Sequence, residues 1–348
     1  MKIRIMQIMI LSFFVNCSFQ QKGIFADDSQ LIKNFKNEMN LEPELFTETE
    51  TYGYNNIICL DKYVILSAVD GKDYLFYVYN YEGDSIGAFG QKGQGPNDLI
   101  NRVYCGQFYF DSISSFMWIN DVSKIRLCAI DINRSLLSRD CYIERTLKTI
   151  PMAVNCFSLN DSLLIAEQRA NNNYNLLIKN LNSDSILINS PVYKYPVEDE
   201  FSIYQSKWRI KPDGTKYVIV MLSISQINIG SLKTEHKVSL NIYSKIPPLG
   251  SIIDKESGIA KMIYYCGVDV SDNYIYGLYM NQPHEDTFEK EKSMEIHVLS
   301  WEGDAICKFN IPQYITHFAV NETENCILGW DYLNEKLYKY TFDKNIFR

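Results

Sequence analysis

The chain has 348 residues, 46% of them hydrophobic, which is enough to fill a sizeable core and too much for a disordered or fibrous protein. The formal charge of −8 excludes nucleic acid and anionic lipid surfaces as main partners, because both require a basic face. Aromatic residues reach 14%, with 25 Tyr and 18 Phe, a composition that favours strands.

Residues 1–16 read as a leader. Lys2 and Arg4 supply a basic start, and residues 5–15 form an apolar run interrupted only by Gln7 and Ser12. The run is too short for a bilayer, which needs roughly 20 apolar residues, and suits the central region of a secretory signal. Cys17 follows at once. This start resembles a bacterial lipoprotein signal, which implies that Cys17 is lipidated and becomes the mature N-terminus. The alternative is an ordinary secretory signal cut nearby. Loss of the leader removes Lys2 and Arg4, so the mature chain is more acidic still. Residues 17–40 are expected to form a tether and short linker, with a short helix over 27–38 capped by Asp28 or Ser29 and carrying Leu31, Ile32 and Phe35 on one face.

From residue 41 to 348 the chain repeats. An alternating aromatic strand, a polar turn and another strand recur around Tyr77 to Ile86, Leu127 to Leu136, Leu177 to Ile186 and Ile296 to Ile306, with Glu-Gly-Asp in the first and last turns. A further unit runs from Tyr217 to Tyr243 and another ends at Leu337 to Tyr340. Equivalent turns fall near residues 83, 133, 183, 244, 303 and 341. That spacing is close to the about 40–50 residues of a four-stranded propeller blade. Gln226 to His236 is expected to lengthen the fourth unit, and the charged stretch Gln282 to Lys292 the fifth. The fold class expected is all-β, a six-bladed β-propeller, with a strand near Glu44 to Thr51 completing the short last unit.

Residues 89–99 read FGQKGQGPNDL. This string is similar to the FGxxGxGPxEF signature of the TolB-like six-bladed propeller lipoproteins of Bacteroides-type bacteria, through Gly90, Gly93, Gly95 and Pro96; Asp98 stands where Glu is usual and Leu99 where Phe is usual. The resemblance implies an envelope propeller and carries no common activity onto particular residues. Tethers that lead such lipoproteins to the cell surface are typically acidic, and residues 18–23 hold no acid, which points to the periplasmic side of a Gram-negative envelope. The string lacks the Lys-Ser/Thr ending and following helix of a phosphate-binding loop. It is expected to be a tight crossover between blades, its glycines permitting positive φ. Lys92, Gln94, Asn97 and Asp98 are the candidates there for a ligand or partner surface.

No cofactor or metal is expected. His236, His284, His297 and His317 show no ligand spacing, and His297 fits a satisfied strand residue. Asp27-Asp28, Glu198-Asp199-Glu200 and Asp269 with Asp272 read as solvated loops, while Asp121 and Asp331 fit turn caps. The eight cysteines after Cys17 are expected to be buried free thiols, with a Cys128–Cys141 pair left open. Trp118 and Trp330 fit the core, and Trp208, flanked by charges, is the candidate exposed aromatic for peptide or glycan recognition. The function expected is a lipid-anchored, non-catalytic binding or scaffold protein of the envelope, its partner a protein, peptide or glycan. The alternatives are a propeller hydrolase, lactonase or lyase with a site at the channel mouth, and a sensor acting on a membrane partner.

Overall fold

A computed structural model describes residues 23–48, 53–69, 73–111, 113–170, 173–195, 203–287 and 292–348. The leader, Cys17 and Glu198 to Glu200 lie outside the described residues. Six sheets of antiparallel strands succeed one another along the chain: residues 54–89, 102–148, 153–191, 206–242, 262–311 and 315–341 form blades 1 to 6. Each is a meander in which period-2 alternation lets both faces bury apolar side chains against neighbouring blades. The first strands of the blades, Tyr54–Cys59, Arg102–Phe110, Ala153–Ser158, Ser206–Ile210, Met262–Val270 and Ile315–Asn321, pack on one another around the axis. Blade 6 has three strands of its own, and Pro43–Thr47 supplies the fourth by antiparallel pairing with Lys336–Thr341. The ring thus closes by joining the two ends of the chain, as expected from the sequence.

The core lies between blades. Trp330 meets Tyr54 edge-on at 4.9 Å across the join of blades 6 and 1. Trp118 and Trp330 are buried as expected. Trp208 is buried as well, 1% exposed, stacked on Tyr217 at 5.5 Å. It is therefore not the exposed aromatic that its charged neighbours suggested. Strand alternation turns Trp208 into the core and Lys207 and Arg209 to the other face. All eight described cysteines are free, Cys128 and Cys141 included.

Three further expectations are corrected. Residues 27–38 are not a helix. Ser29–Ile32 and Asn37–Asn40 are strands added in parallel to the outer strands of blades 4 and 5. An isolated helix of that length is marginal in water, whereas the sheet edges offer complete ladders. Side chains extend the pairing, with Asn241 donating to Ser29 at 3.0 Å and Asn310 to Glu38 and Asn40 at 2.7 Å each. The turn near 133 is a helix, Ile132–Ser138, capped by Asp131, which accepts the Arg134 N–H at 3.0 Å. The turn of blade 4 lies at 232–236, not at 244, because Gln226–Ser231 is an ordinary third strand. Its Gln226 and Asn228 are buried against Asn241 and Ser239, so polar residues hid a core strand. The extra length lies instead at 243–261, between blades 4 and 5. Among the described residues no helix is long and apolar enough to cross a membrane.

Candidate functional site

The loop at 89–99 links the outer strand of blade 1 to the inner strand of blade 2, the expected crossover. Of its glycines only Gly90 has a positive φ, +81°, and a Cβ there would come 2.7 Å from Cys141 Sγ. Gly93 and Gly95 serve close approach instead, since a Cβ at Gly95 would lie 2.7 Å from the Asp98 carboxylate, which accepts the Gly95 N–H at 2.8 Å. Two cations of blade 2 clamp the loop from outside. Lys124 donates to the carbonyls of Gly95 and Asp98 at 2.7 and 2.9 Å, and Arg126 to those of Pro96 and Asp98 at 2.8 and 2.7 Å. Fully buried Asp121 accepts the N–H groups of Ile100 and Asn101 at 3.3 and 3.2 Å and faces Arg126 at 3.7 Å. Asp121 thus caps the crossover, as Asp331 caps its own turn by accepting from Leu333 and Asn334 at 3.1 Å each.

What the clamp delivers is the next stretch of chain. Asn101 to Tyr104 enter the wall of a cavity of about 380 Å³ on the axis, to which all six inner strands contribute. Asn55 and Asn56 come from blade 1, Arg102 from blade 2, Asn155 from blade 3, Lys207 and Arg209 from blade 4, Cys266 from blade 5 and Thr316 and His317 from blade 6. The structure leaves Lys92, Gln94 and Asn97 exposed on the loop, and Asp98 half-buried in its internal bond; the cavity wall starts after them, at Asn101. Lys207, Arg209, Arg102 and His317 escaped the sequence reading. The signal was the alternation Lys-Trp-Arg on one strand, which places both cations on one face.

The electrostatics of this lumen differ from those of the whole chain. Arg102 is anchored, donating to Ser67 Oγ and the Val69 carbonyl at 3.3 Å each. Arg209 donates to the Trp208 carbonyl at 2.9 Å and rests 5.8 Å over the Tyr104 ring. Gly106, with φ +76°, makes room for it, since a Cβ there would meet the guanidinium carbon at 3.0 Å. Burial, and then the positive charge of Arg209, pull the Lys207 pKa down. Burial, and then Lys207, hold His317 at about 4, so it is neutral at neutral pH. Asp269 is a half-buried strand residue, not part of a solvated loop. It accepts the N–H groups of Val320 and Val270 at 2.9 and 3.0 Å, and its pKa is raised by burial despite the pull of Arg209.

A larger groove of about 930 Å³ lies at the outer side of blades 3 and 4, and two of its cations already have partners within the chain. Lys194 pairs with Asp27 at 2.5 Å and Lys237 sits 4.8 Å over the Phe25 ring. The axial lumen is the stronger candidate, because side chains from all six blades converge on it and the Lys207 ammonium has no ion-pair partner among the described residues.

His297 is the satisfied strand residue that its sequence suggested. It is fully buried, with Nδ1 at 2.8 Å from the Tyr265 hydroxyl and Nε2 at 2.8 Å from Glu295, so Nε2 carries the proton. Burial raises Glu295, but His297, the Tyr243 hydroxyl and Lys308 outweigh it and hold the carboxyl at about 2. Burial also lowers His297. Both His297 and His317 therefore bind a proton more readily when unfolded. Stability is full above the unfolded pKa of about 6.5 and falls as pH drops below it, by up to about 1.4 kcal/mol per pH unit for each group. Glu295 adds a second loss from about pH 4.5 downwards. Glu167, raised to about 7 by burial, acts in the opposite sense between about pH 7 and 4.5 and offsets the loss from one histidine. Urea unfolding between pH 8 and 4 is expected to show the net acid limb, and His317→Gln to flatten it. A stability constant down to pH 5 would contradict the account.

The geometry has counterparts among known proteins. Residues 51–323 match the model of the TolB-like 6-blade propeller-like family. A DUF4221-family protein of Bacteroides vulgatus superposes with a TM-score of 0.58 at 14% identity, covering 87% of this chain and 98% of its own. A Bacteroides fragilis protein described as exported gives 0.52 at 13% identity, covering 89% and 99%. At these identities the likeness concerns the fold. No curated protein matches the chain.

Proposed function

The chain belongs to the TolB-like six-bladed propeller family, and on that premise we propose that it is an exported, lipid-anchored envelope protein that acts by binding, with the axial lumen as its ligand site. Export is supported by the leader-like residues 1–16 and by the exported description of the B. fragilis neighbour. Cys17 is the anchoring residue in this reading, and the absence of acids in residues 18–23 favours the periplasmic side. The partner is an envelope protein, peptide or glycan that presents a group to the lumen.

The observation that carries the reading is the convergence of side chains from all six blades on one polar cavity. Ligand pockets commonly have about this volume and combine a few placed polar groups with packed walls. The test is a crosslinked affinity capture from native envelopes with tagged full-length protein, read by quantitative mass spectrometry, with Cys17→Ser as the anchoring control. One reproducible envelope component is expected, and Cys17→Ser should release the protein from the membrane fraction. A Cys17→Ser protein that stays membrane-bound would overturn the anchor, and capture of no component would overturn the partner.

A further inference from the structure

The lumen is basic inside an acidic protein. Its described wall holds Arg102, Lys207 and Arg209 and neither Asp nor Glu, whereas the chain carries a formal −8. The Lys207 ammonium makes no hydrogen bond or ion pair with any described residue, and the side chain stands exposed in the wall of the lumen. Arg209 keeps its Nε buried without a hydrogen-bond partner. Two cations side by side on one strand face repel each other. Folded proteins tolerate such an arrangement where an anion completes it, and a recessed cluster of one sign concentrates counter-ions of the other.

The rest of the wall is uncharged and rich in hydrogen-bonding groups. Asn55, Asn101 and Asn155 offer amides, and Ser206 and Thr316 offer hydroxyls. Amides both donate and accept, which suits a ligand with several hydroxyl groups. We propose that the lumen binds a small hydroxyl-bearing anion, its charged group between Lys207 and Arg209 and its hydroxyls on the surrounding amides. The inference rests on the reading of the lumen as the ligand site and names the chemistry of that ligand. Arg209 offers a planar fork to a carboxylate or phosphate, and Lys207 adds a point charge.

The test is calorimetric titration of the anchored protein in detergent with glucuronate, inorganic phosphate and glucose, at matched ionic strength. Glucuronate and phosphate are expected to bind and compete, more weakly as salt rises, and glucose not to bind. Whichever anion binds tighter identifies the charged group as carboxylate or phosphate. Lys207→Met should cost at least tenfold in affinity, and Lys207→Arg should retain most of it. Thermal melting supplies a second readout. Phosphate should raise the midpoint of the wild type and not that of Lys207→Met, whose own midpoint should equal or exceed the wild-type value because a repulsion is gone. Equal binding of glucose and glucuronate, or anion binding unchanged in Lys207→Met, would overturn the inference. Should no anion bind while native-envelope capture still depends on Lys207, the anion assignment falls and the lumen stands as the binding site.

Discussion

Removal of residues 1–48 should abolish the cooperative unfolding transition. The truncation takes away Pro43–Thr47, the fourth strand of blade 6, and exposes the edge of Lys336–Thr341. It also removes buried Phe25, Ile32, Leu41 and Phe46 from the joins between blades. Each such side chain contributes about 1.5–3 kcal/mol. Their sum is comparable with the whole stability of a domain, about 5–15 kcal/mol. A shorter truncation, of residues 1–40, keeps the closing strand with Leu41 and Phe46 and loses Phe25 and the two added parallel strands. It should fold, with a lower midpoint and blades 4 and 5 open at the edge. Circular dichroism melts of the two truncations decide the point. A 1–48 truncation melting within a few degrees of the longer protein would show that the ring does not depend on its N-terminal strand.

Asp121→Ala is the point substitution expected to cost most outside the apolar core. The carboxylate is fully buried, holds the N–H groups of Ile100 and Asn101 and faces Arg126. Alanine leaves those groups without their acceptor and the guanidinium without its counter-charge, a loss of about 3 kcal/mol. For a domain of this size that is a drop of roughly 5–10 °C in melting midpoint. Asp121→Asn keeps one acceptor oxygen and should recover about half. Asp331→Ala, which removes only a turn cap, should cost about 1 kcal/mol. The loop that Asp121 holds leads directly into Asn101 and Arg102 of the lumen. Asp121→Ala should therefore weaken ligand binding as well, at temperatures where the protein remains folded. Equal midpoints for Asp121→Ala and Asp331→Ala would remove the crossover clamp from the account.

Much of this fold was legible because strand periodicity and turn chemistry are local. The Glu-Gly-Asp turns at 83 and 303 and the closing strand near residue 44 follow from them, and both are where the pattern placed them. Misreadings arose where tertiary partners override local pattern. Residues 29–32 and 37–40 are strands only because blades 4 and 5 present them with edges. Gln226–Ser231 reads as polar until Asn241 and Ser239 are beside it. Trp208 looked exposed because Lys207 and Arg209 flank it, yet the same alternation marks those two as the site and the tryptophan as core. The lumen itself draws on residues from Asn55 to Phe318. No window of sequence contains it, because closure of the ring alone assembles it.

The central claim is that the axial lumen is where this protein meets its ligand. The most direct measurement is the native-envelope capture repeated with Lys207→Glu, beside Lys233→Glu in the outer groove of blades 3 and 4. The account predicts that charge reversal at Lys207 abolishes capture of the species retained by the wild type, while reversal at Lys233 leaves it unchanged. Full capture by Lys207→Glu, or loss with Lys233→Glu alone, would move the functional surface away from the axis and contradict the account.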